Sequence, residues 1–105
     1  MIRMMQCDQY RLPIEFKNED GTPITQEVIN DIEIFVGPFR KTISDGGVQF
    51  ERSDGVFYVF MTQKETFMLR GDVKIQARIK FLSGDVTGID LGAVKIDTST
   101  SKVVL

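Results

Sequence analysis

Apolar and polar side chains alternate along much of this 105-residue chain, as they do in strands that place one face on a core. The alternation is clearest over residues 10–16, 32–36 and 73–81, where every second residue is apolar. Turn residues separate these segments, and five aspartates lie next to a glycine in them. The pattern predicts an all-β domain of mainly antiparallel strands.

Turn and strand signals also predict how the strands connect. Residues 53–55 (Ser-Asp-Gly) and 83–85 (Ser-Gly-Asp) each predict a hairpin, because glycine supplies the positive φ angles of tight turns. Pro13 has no N–H to donate to a sheet, so its strand is expected to be an edge strand or one whose N–H side is free at that position. The apolar positions change parity near residues 92–93 (Gly-Ala), which predicts a β-bulge there.

Two polar stretches interrupt the alternation and predict short helical turns. Thr25 is a candidate N-cap for the first. The second covers residues 63–69, and Thr62 and Glu65 have the T-x-x-E spacing of a capping box. In that motif the threonine hydroxyl accepts from the third helical N–H, and the glutamate accepts from the threonine N–H.

The triplet Arg70-Gly71-Asp72 follows the predicted helix, and adhesive proteins present the same triplet to integrins. Adhesion requires a protruding tip, whereas here the triplet lies between a helix end and the longest strand. We therefore expect Gly71 to be a left-handed residue after the helix, and the triplet to be a turn. Phe67 or Leu69 is expected to plug the core beside it.

Residues 56–61 (VFYVFM) are apolar on both faces of a predicted strand. One interpretation is a central strand that is covered on both sides. The other is that one face forms a subunit interface. The apolar C-terminal tip could likewise add a strand to a neighbouring molecule. The candidate interface residues are Phe57, Val59, Met61, Val103, Val104 and Leu105.

Composition indicates one globular domain over residues 1–105, with residues 98–105 either a flexible or a partner-pairing tail. Hydrophobic residues make up 42% and charged residues 27% of the chain. The net charge of −2 gives no basic surplus for nucleic acid. Neither a signal peptide nor a membrane-spanning stretch is recognised, so we expect a product that is cytoplasmic when made, with no membrane partner.

Candidate chemistry is sparse, and the sequence predicts a protein that is not an enzyme and uses no cofactor or metal. Histidine is absent, which excludes a Ser-His-Asp or Cys-His arrangement. Cys7 is the single cysteine and is expected to be a small hydrophobic residue in or near the first strand. The aspartates beside glycines are explained by turn chemistry, without a catalytic carboxylate pair.

The order of elements adds a family resemblance. The opening MIRMMQCDQYRLPIEF, the central FYVFMTQKETFML and the following GDVKIQARIKFLSGDVTGID are the segments that carry it. Over about residues 9 to 97 the chain resembles small structural proteins of phages and prophages of Gram-positive bacteria, including the N-terminal β-sandwich of upper-baseplate proteins.

The resemblance implies an immunoglobulin-like antiparallel β-sandwich of about seven or eight strands, with one or two short helical turns. It also implies a non-catalytic assembly module in a virion tail, baseplate or neck. Its partners would be other phage structural proteins and further copies of itself. The alternative is a β-sandwich domain that binds a ligand or carbohydrate.

Overall fold

A computed structural model describes residues 3–100 of the chain, as eight strands and two short helical turns in two packed sheets. This confirms the predicted all-β sandwich. The helical turns are a 3₁₀ turn at Gln26–Val28 and helix α1 at Gln63–Phe67. The strands are β1 (Arg3–Met5), β2 (Tyr10–Ile14), β3 (Ile29–Val36), β4 (Phe39–Thr42), β5 (Val48–Glu51), β6 (Val56–Met61), β7 (Gly71–Phe81) and β8 (Val86–Asp97).

The strand order is that of an immunoglobulin-like sandwich. The small sheet has the order β2-β6-β5, which corresponds to strands B, E and D of that fold. The large sheet has the order β1-β8-β7-β3-β4, in which β8, β7, β3 and β4 correspond to strands G, F, C and C′. The described strand pairs are antiparallel as predicted, except that β1 pairs with β8 in parallel.

The core lies between the two sheets and is built from the alternating residues. Leu12, Ile32, Ile34 and Ile79 are fully buried. Their parity follows the pleat, since successive side chains of a strand point to opposite faces. Pro13 is exposed on β2, an edge strand of the small sheet, as predicted from its missing N–H.

The predicted hairpins and bulge are present. β5 joins β6, and β7 joins β8, as antiparallel pairs. The β7–β8 register shifts where Lys74 pairs with Ala93 and Gln76 pairs with Asp90, so β8 has one extra residue there. Gly92 lies in this bulge with a φ of 82°. The bulge brings Val94 and Ile96 onto the core face of β8.

Candidate association surfaces

A capping box stabilises the start of helix α1, and its glutamate also pairs with a lysine on β4. The Thr62 hydroxyl accepts from the Glu65 N–H at 3.2 Å, and Glu65 Oε1 accepts from the Thr62 N–H at 2.9 Å. Lys41 on β4 donates to both Glu65 carboxylate oxygens, at 2.7 and 2.6 Å. The predicted capping box is thus confirmed, and an ion pair ties the helix to the large sheet.

The ion pair sets the ionisation of Glu65. Burial raises the pKa of this carboxyl, but the hydrogen bonds from Lys41 and from the Thr62 backbone lower it more. The net result is a pKa below the ordinary value of 4.5. Side-chain exposure is 14% for Lys41 and 20% for Glu65, so the pair is better shielded from water than an ordinary surface ion pair.

The chain beyond α1 carries the first exposed apolar cluster. Leu69 is buried and plugs the core, whereas Phe67 and Met68 are exposed, Met68 by 73%. Of the two predicted plugs, Leu69 is therefore correct and Phe67 is not. The side chain of Gln6 donates to the Leu69 carbonyl at 2.9 Å, which holds β1 beside this segment. We call Phe67 and Met68 the helix-end cluster.

A second exposed apolar cluster lies at the β7–β8 hairpin. The Leu82 N–H donates to the Val28 carbonyl at 3.0 Å, which holds the 3₁₀ turn against the hairpin. Both side chains are exposed, Leu82 by 67%, and they line a shallow surface depression together with Phe81. The exposed Val86 starts the return strand opposite Lys80 and lines a separate depression with Arg78 and Lys80. We call Val28 and Leu82 the hairpin-end cluster.

The prediction of an interface on β6 is wrong, because the three side chains concerned are buried. Phe57, Val59 and Met61 are 0%, 0% and 1% exposed and belong to the core. Phe57 packs its ring against Phe16 and Phe50, with ring centroids 5.6 and 4.7 Å away. These side chains fill the space between the sheets, so in the folded chain they present no surface to a partner.

The outer face of β6 is partly covered by the chain itself. The Arg11 guanidinium lies 3.7 Å from the centre of the Tyr58 ring, a cation–π contact, and 5.7 Å from that of Phe60. The Tyr58 hydroxyl donates to Asp54 at 2.7 Å, and this hydrogen bond raises the pKa of Tyr58. One ring face of Tyr58 is therefore occupied and does not offer an open stacking platform.

A groove of about 450 Å³ with a mixed polar and apolar lining lies between β2 and strands β7 and β8. Among the described strands β2 pairs only with β6, so its other edge is open. Leu12 and Ile14 from one sheet and Leu91 and Ala93 from the other line this groove. Its volume lies within the usual range for small-molecule sites.

The other predicted residues are placed as follows. Gly71 has a positive φ of 70°, as expected, but it opens β7 and is not the residue that ends the helix. The helix ends at Phe67, and its C-cap is Met68, three residues before Gly71. Gly71 and Asp72 pair with Ile96 and Lys95, so the triplet Arg70-Gly71-Asp72 enters a strand. Val103, Val104 and Leu105 lie outside the described residues.

Residues 3–100 hold neither a grouped set of metal ligands nor a long apolar helix. Within residues 3–100, no three histidine, cysteine, aspartate or glutamate side chains are grouped closely enough to hold a metal ion. Over the same range no helix is long and apolar enough to cross a membrane. Cys7 lies in the turn after β1 with a φ of 70°, which is uncommon for a residue other than glycine.

Comparisons with known proteins add no relative. No protein-family model, curated protein or solved structure matches this chain. The function is therefore argued from the surfaces described above.

Sequence reasoning missed both exposed clusters. Met68, Leu82 and Val86 each lie next to a turn or an element end, where alternation no longer predicts which side chains are buried. A useful signal was nevertheless present. An apolar residue beside a turn, outside the alternating pattern of its neighbours, has no predicted place in the core and is a candidate for exposure.

Proposed function

We propose that this chain is a non-catalytic assembly module of a phage or prophage virion, acting through protein–protein association in a tail, baseplate or neck. The observation that carries the proposal is the grouping of exposed apolar side chains into the helix-end and hairpin-end clusters. Single exposed apolar residues are normal on a soluble protein, but grouped ones mark interaction sites. The resemblance of the sequence to phage structural proteins is the reason for proposing that the association takes place in a virion.

The experiment is to induce the prophage in the host, purify the released particles on a density gradient and quantify this chain by mass spectrometry. The proposal predicts that the chain copurifies with particles in a fixed ratio to a major tail protein. Its presence in the lysate but absence from purified particles would contradict the virion assignment. A host protein of similar abundance serves as the contamination control.

A ligand-binding function is the second candidate, and the groove beside β2 is what favours it. Its lining combines aliphatic side chains with Glu15 and holds no aromatic ring, so it suits an amphiphilic small molecule more than a stacked sugar. Alkyl glycosides titrated into labelled protein should then shift the amide resonances of Leu91 and Ala93. Ala93→Glu should abolish those shifts, and shifts that are absent from the native protein would remove this candidate.

A further inference from the structure

We draw no further inference here: the strongest candidate, the open edge of β2 together with the groove between it and strands β7 and β8, adds nothing to the ligand-binding candidate already described, because nothing in the structure shows what pairs with that edge or fills that groove.

Discussion

At Gly71 the backbone conformation limits which amino acids the position tolerates. Its φ is 70°, and no atom beyond its chain neighbours lies within 4 Å of the position that a Cβ would take. A substitution here therefore meets backbone strain without a packing clash. β-Branched residues tolerate this conformation poorly, whereas asparagine tolerates it better.

Gly71→Val should accordingly lower the free energy of unfolding by roughly 1–3 kcal/mol. Gly71→Asn, as the matched control, should cost clearly less. Urea denaturation followed by circular dichroism measures both. Equal losses for valine and asparagine would show that the cost does not come from φ, and would contradict the strain argument.

The ionisation of Glu65 links the helix cap to pH. Its pKa is lower in the folded protein than the ordinary 4.5, so the unfolded chain binds this proton more readily. The stability contributed by the carboxylate is complete above the unfolded value and is lost as the pH falls through the folded pKa.

Glu65→Gln should therefore be less stable than the native protein at pH 7, by about 1–2 kcal/mol. This difference should shrink as the pH falls below 4.5, since the native side chain then becomes neutral too. Urea denaturation at several pH values measures it. A loss that is the same at pH 3 and pH 7 would mean that the carboxylate charge is not what stabilises the cap.

At the scale of the elements, the end of α1 and the residues after it include one buried and one exposed apolar side chain, only two residues apart. Leu69 is buried between the helix and the sheets, whereas Phe67 is exposed. Leu69→Ala should destabilise the fold by about 2–5 kcal/mol, as buried leucine truncations do. Phe67→Ala should change stability by roughly 0.5 kcal/mol or less. A larger loss for Phe67→Ala than for Leu69→Ala in thermal unfolding would reverse this assignment.

How far the sequence predicts the structure differs between element types. Alternation placed Ile32, Ile34 and Val36 correctly, because only one face of β3 meets the other sheet. It could not decide between the two apolar faces of β6, since that choice depends on how β6 pairs with β2 and β5. The cation–π cover of Tyr58 by Arg11 likewise depends on that cross-strand register.

The candidate surfaces were less predictable than the fold, for a related reason. Val28 and Leu82 are distant in sequence and meet only because the chain folds the 3₁₀ turn onto the β7–β8 hairpin. The Lys41–Glu65 ion pair likewise joins two side chains that are 24 residues apart in the sequence. Local patterns predict elements and turns, whereas these contacts require the tertiary arrangement.

At the scale of the whole molecule, the account rests on where apolar side chains are left exposed. The facing sides of the two sheets form the core, whereas Phe67, Met68, Val28 and Leu82 are exposed at the ends of elements. We expect association with other virion proteins to cover these side chains.

Quantitative mass spectrometry of purified particles tests the proposed association most directly. The account predicts that this chain keeps a fixed ratio to a major tail protein across the particle-containing fractions of a density gradient. A chain that is present in the lysate but absent from those fractions would contradict the central claim.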